Sequence, residues 1–196
     1  MDKKQCPNNY SRDRQAWLDY FLDQGEFWIF GYGSLMWRPD FMHSGAFECC
    51  AEGVSRRYCI ISVAYRGTPE CPGRVLGLVE EGSCHGMAFC IQGKDIEPSF
   101  NEVWRREMVT EAYLPKLLDV RLTTGEQKQA LGFLADPDHA QYDNSSTEAE
   151  VACIIKQAVG PFGRNIDYAN ETFQHLQQLG VHDDRLWRLH KTLNES

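Results

Sequence analysis

The stretch Phe27-Trp28-Ile29-Phe30-Gly31-Tyr32-Gly33-Ser34-Leu35-Met36-Trp37-Arg38-Pro39 decides how the rest of the chain is read. Residues 27–31 form an apolar, aromatic run of strand length that stops at a glycine, which predicts a buried strand. The glycines at 31 and 33 let backbone approach a ligand closely. Successive N–H groups in such a turn make a nest for a carboxylate or phosphate. The turn is not a dinucleotide fingerprint, because Met36 stands where the third glycine of GxGxxG belongs. Nor is it a nucleophile elbow, which needs glycine on both sides of the serine as GxSxG. On its own the motif fits a tight structural turn better than a ligand site.

Upstream, Trp17, Leu18, Phe21 and Leu22 make one apolar face that ends at Gly25, predicting a helix with a glycine stop. Downstream, strand signals cover residues 58–65, 74–79 and 87–91. The last two flank Glu80-Glu81-Gly82-Ser83 and predict a hairpin. A helix is expected near Pro98, a residue suited to a first helical turn, and strands at 117–122 and 129–134 flank a Thr-Gly-Glu turn. The last third turns helical. Thr147 and Glu150 form a capping-box pair ahead of Val151, Ile154, Ile155 and Ala158, with Gly160 at the far end. A second helix spans 165–179 before Gly180, and a third starts around Asp183 with Leu186, Trp187 and Leu193. With no repeat, linker or low-complexity tract, residues 1–196 read as one α+β domain, strands early and helices late.

Composition narrows the function. A chain of 196 residues with 42% hydrophobic and 24% charged residues is globular, and at this length it buries roughly 70% of its unfolded surface. Twenty Lys and Arg against 28 Asp and Glu give a net charge of −8, which opposes phosphate backbones and anionic membranes, so neither nucleic acid nor membrane is an expected partner. The polar start from Met1 to Arg14 lacks the apolar core of a signal peptide, and no stretch is long enough for a bilayer span, so a cytoplasmic location is expected. The eight cysteines contain no CxxC pair and mostly sit among apolar neighbours. They are expected to be small buried hydrophobes in a reducing compartment. The six histidines form neither HxxxH nor HExxH, so no metal site is expected.

One residue does not fit its surroundings. On a helix from 98 to 109, Phe100, Val103, Trp104 and Met108 share a face, while Glu102, Arg105 and Arg106 point elsewhere. Glu107 falls on the apolar face. A carboxylate held against a core has its pKa raised toward neutrality, as a proton-transferring group requires. Pattern alone leaves open a purely structural glutamate paired with an arginine, since such pairs also perturb carboxylates. A third motif, Gly82-Ser83-Cys84-His85-Gly86, imitates a cysteine elbow, but it lies between two strand-like runs and reads as a turn.

The run from Trp28 to Phe41 resembles the opening motif of the ChaC family of glutathione-specific γ-glutamylcyclotransferases. Val54-Ser55-Arg56-Arg57-Tyr58, Arg66-Gly67, Pro72-Gly73-Arg74-Val75, Trp104-Arg105-Arg106-Glu107-Met108 and Gly160-Pro161-Phe162-Gly163-Arg164-Asn165 resemble further family landmarks in the same order. The spelling around Glu107, Tyr113 and Asp136-Pro137-Asp138-His139 is most similar to bacterial members. The resemblance implies a small closed β-barrel flanked by helices, and a lyase that splits glutathione into 5-oxo-L-proline and L-cysteinylglycine without a cofactor. It further implies that Ile29, Phe30, Gly31, Tyr32, Gly33, Ser34 and Leu35 hold the γ-glutamyl group and that Glu107 is the general acid/base. Arg66, matching a family arginine near the substrate, is a second-tier candidate. Phe133 departs from animal members, which carry tyrosine there, and Tyr113 and Tyr142 either line the pocket or simply pack.

Two other readings stay open at this stage. A non-catalytic sensor would use the same nest for a small anion, although it gains nothing from a second desolvated carboxylate. A cyclotransferase acting on other γ-glutamyl compounds differs from the glutathione-specific one only in the pocket for the leaving half. The oligomeric state is open as well, a monomer being plausible.

Overall fold

Ile29 pairs in parallel with Leu131, and this bridge joins the two ends of a five-stranded sheet into a closed barrel. The computed structural model describes residues 4–195. The strands are β1 (Glu26–Gly31), β2 (Gly45–Glu52), β3 (Ser55–Ser62), β4 (Gly73–Val79), β5 (Ser83–Gln92), β6 (Tyr113–Leu122), β7 (Gln127–Ala135), β8 (Val159–Gly160) and β9 (Gly163–Arg164). The helices are α1 (Arg14–Gln24), α2 (Ile96–Glu107), α3 (Glu148–Gln157), α4 (Asn165–Gln178) and α5 (Asp184–Asn194). Two compact units alternate along the sequence. Residues through 55 and 78–134 make the first, and residues 56–77 and from 135 onward make the second.

The first unit is the barrel, in the order β1-β5-β2-β6-β7, with α1 and α2 beside it. β5 runs antiparallel to both β1 and β2, from Glu26↔Gln92 to Gly31↔Met87 on one side and from Gly45↔Cys90 to Glu52↔Ser83 on the other. Helix α1 starts where the Asp13 side chain accepts a hydrogen bond from the Ala16 N–H, and it stops at Gly25, whose φ of 72° is left-handed. That conformation costs glycine little and other residues more. Helix α2 buries Ile96, Phe100, Val103 and Trp104. They join Trp17, Leu18 and Phe21 of α1, Phe27 and Ile29 of β1, Leu131 and Phe133 of β7 and Leu35 in one apolar cluster. Rings at its centre interlock, with Phe21 and Phe27 centroids 4.5 Å apart and Phe27 and Phe100 5.7 Å apart.

The second unit holds β3, most of β4, the β8–β9 hairpin and helices α3 to α5. Several of its interior polar groups are paired. Arg74 Nη2 lies 2.6 Å from Asp143, and the Asn165 amide both accepts from the Arg74 N–H at 2.6 Å and donates to its carbonyl at 2.8 Å. Burial opposes the charge on Asp143, yet hydrogen bonds from Ser146, Ser145 and Arg74 outweigh it and hold the carboxyl well below the usual range. Arg56, 2% exposed, lies 3.4 Å from Asp183. The capping box of Thr147 and Glu150 is present in full. Among the described residues no helix is long and apolar enough to cross a membrane. Residues 1–3, the beginning of the polar start, and Ser196 lie outside the described residues.

The mixed α+β class with a closed barrel agrees with expectation, and several local readings are corrected. β4 and β5 are not a hairpin. β5 is taken along its whole length by β1 and β2, while β4 neighbours β3 and β7. Strand β2 carries no strand signal because its inward positions are the small Cys49 and Ala51 and its outward ones include Glu48 and Glu52. The segment 83–86 is the start of β5 and not a turn. The apolar-face helix runs from Ile96 to Glu107, so Met108 lies just past its end. Leu22 and Trp187 are 44% and 39% exposed, the indole packing edge-on to Phe173. Cys49, Cys59, Cys84 and Cys90 are buried, whereas Cys6, Cys71 and Cys153 face solvent.

Phe100, fully buried between α1, β1 and Trp104, is the most demanding test of this packing. Phe100→Ala is expected to destabilise the protein by about 3–5 kcal/mol in equilibrium denaturation, as for other buried aromatic truncations.

Candidate active site

Strand β1 delivers the Gly31–Leu35 loop. Ile29 and Phe30 are fully buried in the barrel, and Tyr32 and Leu35 are 6% and 5% exposed. Their side chains serve packing, so what this loop offers a ligand is backbone and the Ser34 hydroxyl. Ser34–Met36 form a single 3-10 turn, closed by the Met36 N–H donating to the Gly33 carbonyl at 2.8 Å. The first N–H groups of such a turn have no partner inside it. The Tyr32 hydroxyl donates to the Phe133 carbonyl at 3.1 Å, fixing the loop to β7. Close approach also fixes Gly86. A Cβ there would stand 2.3 Å from the Gly31 carbonyl oxygen, so only glycine lets β5 pass the end of β1.

Glu107 is the last residue of α2, and its side chain is 16% exposed. Burial pushes its carboxyl above the ordinary carboxylate range, and the Arg106 guanidinium pulls it partly back. Its position adds to the upward push, because the C-terminal end of a helix carries partial negative charge.

Arg106 does more than face solvent. Its Nη2 donates to Ser34 Oγ at 2.8 Å, its Nη1 to the Arg38 carbonyl at 2.5 Å, and its Nε lies 3.4 Å from Glu107 Oε1. Ser34 and Glu107 therefore share one guanidinium. Sequence reasoning missed this residue because its Cα lies off the apolar face. The available signal was an arginine beside a buried glutamate in the last turn of a helix, where a long side chain can wrap past the helix end.

Other predicted residues fall as follows. Arg66 belongs to the second unit, where its Nη1 reaches the Arg164 carbonyl at 3.4 Å and its guanidinium lies 5.4 Å over the Tyr168 ring. Tyr113 packs half-buried on the apolar cluster of the first unit, and Tyr142 of the second unit bridges to Ile60. Phe133 is buried, with its ring edge-on to Trp104 at 6.2 Å. Cys84 is buried and His85 exposed, on opposite faces of β5, so they form no dyad. Among the described residues, no group of three or more His, Cys, Asp or Glu is placed to hold a metal ion.

Residues 27–196 match the sequence model of a family described as ChaC-like protein. The glutathione-specific gamma-glutamylcyclotransferase of Escherichia coli K12 is 37% identical over 84% of this chain and 71% of that protein. The human protein named glutathione-specific gamma-glutamylcyclotransferase 1 is 32% identical over 81% of this chain and 73% of its own length. In structure, the chain is similar to a yeast gamma-glutamyl cyclotransferase specific to glutathione, with TM-score 0.79 and 21% identity, covering 87% of this chain and 96% of that one.

The raised carboxyl of Glu107 has a consequence for stability. A carboxyl whose folded pKa lies above its unfolded value favours the fold fully below the unfolded value, and that contribution is lost as pH rises through the folded value. Glu107→Gln removes the burden of the buried charge. The variant is expected to melt higher than the wild type at pH 8 and close to it at pH 4, as measured by thermal denaturation at both pH values.

Proposed function

The chain belongs to the ChaC-like protein family, and from that premise we propose that it is a lyase that splits glutathione into 5-oxo-L-proline and L-cysteinylglycine, with Glu107 as the general acid/base. In glutathione the free α-amine reaches its own side-chain carbonyl and closes a five-membered lactam. A well-oriented intramolecular attack gains on the order of 7–11 kcal/mol over the bimolecular reaction. The protein's main task is to fold the substrate onto itself.

The chemistry divides among the residues of the first unit. Backbone N–H groups of the Gly31–Leu35 loop and the Ser34 hydroxyl hold the α-carboxylate or the oxygen that becomes negative as the ring closes. The Glu107 carboxylate takes a proton from the substrate ammonium, freeing the lone pair that attacks the γ-carbonyl carbon. As the bond to the cysteinyl nitrogen breaks, the same group returns the proton to that nitrogen. The second N–H proton given up on lactam formation follows the same route, so the leaving amine departs as an ammonium and the carboxylate is regenerated. One acid of raised pKa serves both directions.

One observation supports this reading above the others: a carboxylate largely withheld from water shares a guanidinium with the serine of the glycine-flanked loop. The test is turnover by purified protein, with both products quantified by mass and γ-glutamylalanine run beside glutathione. Glu107→Gln preserves shape but removes the base. Its kcat on glutathione is expected to fall about 10²–10⁴-fold, the range for loss of a positioned acid/base. Wild-type turnover by that variant rejects the assignment, and equal turnover of γ-glutamylalanine by the wild type rejects glutathione specificity.

A further inference from the structure

Arg106 follows Trp104, the last buried aromatic of α2, by two residues, about half a helical turn, and spends its donors elsewhere. Besides Ser34 Oγ and the Arg38 carbonyl, its Nη1 lies 3.4 Å from Asp40 Oδ2, so three groups of the segment following β1 meet one guanidinium. The fourth neighbour is Glu107, on the Nε side. Only a planar fork with five N–H donors spans such a set, whereas an ammonium is a single point charge. Arg106 is 25% exposed, so it is partly desolvated where it meets the loop.

Building on Glu107 as proton shuttle, we propose that Arg106 is a positioning residue that ties the substrate loop to the end of α2 and keeps the shuttle ionised at working pH. Two physical effects act together. Mechanically, the bonds to Ser34 and to the Arg38 carbonyl hold the loop at a fixed distance from the Glu107 carboxylate, as a near-attack geometry requires. Electrostatically, burial and the helix C-terminus both favour the neutral acid, and Arg106 is the group that opposes them. The surrounding charges do not replace it. Asp40 approaches Arg106 and is 68% exposed, and Arg105 is turned outward in an ion pair with Glu102.

The arrangement also fits the order of events. The contact from Nε to Oε1 is 3.4 Å, longer than a close charge-assisted bond. Arg106 thus biases the carboxylate toward ionisation without locking it, which leaves an arriving ammonium able to compete for the same oxygens. Once the proton has moved to Glu107, the guanidinium remains bound to the loop through Ser34 and the Arg38 carbonyl, and the geometry persists while the ring closes.

The experiment measures kcat/KM for glutathione from pH 5 to 10 in the wild type, Arg106→Gln and Arg106→Lys, with Glu107→Gln alongside. The acid limb of kcat/KM reports the base on the free enzyme. In Arg106→Gln that limb is expected to move to higher pH, so that kcat/KM falls about tenfold further below the wild type at pH 6 than at pH 9, where only the loss from the missing fork to the loop remains. Arg106→Lys, which keeps stem and charge and guards against simple loss of the fold, is expected to return the limb to its wild-type position while raising KM about three- to tenfold, because the fork to the loop is gone. A loss in Arg106→Gln that is the same at every pH overturns the proposal, as does a wild-type KM in Arg106→Lys. The Glu107 reading is judged separately. An inactive Glu107→Gln with an unmoved limb in Arg106→Gln removes only the role of Arg106, whereas an active Glu107→Gln removes the shuttle itself.

Discussion

The site rests on a single apolar cluster that lies under both of its halves. Leu35 anchors the end of the Gly31–Leu35 loop in it, Phe100, Val103 and Trp104 anchor α2, and Ile29, Leu131 and Phe133 bring in the strands where the barrel closes. Side chains packed to crystal-like density fix their backbones to within fractions of an ångström. The glutamate and the serine are then held on either side of one guanidinium by elements anchored in the core. Polar contacts finish the arrangement, and hydrophobic packing makes it reproducible.

Against that frame, the buried carboxylate is a deliberate local misfit. A glutamine at 107 would sit more comfortably at the end of a helix and against a core, and a more exposed site would let the carboxylate ionise freely. The chain keeps an acid where burial penalises its charge and answers with one adjacent guanidinium. Residues that are costly to the fold and valuable to the chemistry are common at active sites, where stability is traded for reactivity. The second unit shows the opposite policy. Asp143 is surrounded by Ser145, Ser146 and Arg74 until its charge is more comfortable than in water, the arrangement of a purely structural ion.

What the sequence revealed follows from how locally each feature is encoded. The helix carrying Trp17 to Leu22 and stopping at Gly25, the Thr147–Glu150 capping box and the apolar face of α2 were legible because spacing and caps are short-range properties. The glycines at 31 and 33 marked the tight turn after β1, and the helical phase of Glu107 marked a carboxylate largely withheld from water. Partnering of strands was not legible. β4 and β5 have a turn-like link and still pair elsewhere, since the choice belongs to β1, β2 and β7, which are distant in sequence. β2 escaped notice because its buried positions are the small Cys49 and Ala51. Arg106 escaped because helical phase describes where a Cα points and says nothing of where a long, flexible side chain ends.

The bridge between Ile29 and Leu131 also carries a kinetic implication. During synthesis the first strand leaves the ribosome long before the seventh exists, and the chain must make all of β2 to β6 before the seam can be sealed. Until then the flank of β1 that will face Leu131 is an unprotected sheet margin with an aromatic-rich inner surface, the kind of edge that recruits foreign strands. Folding that depends on such distant partners is slow compared with helical bundles of equal size. The Gly31–Leu35 loop, hanging from the end of β1, thus acquires its final shape only after two-thirds of the polypeptide has been made.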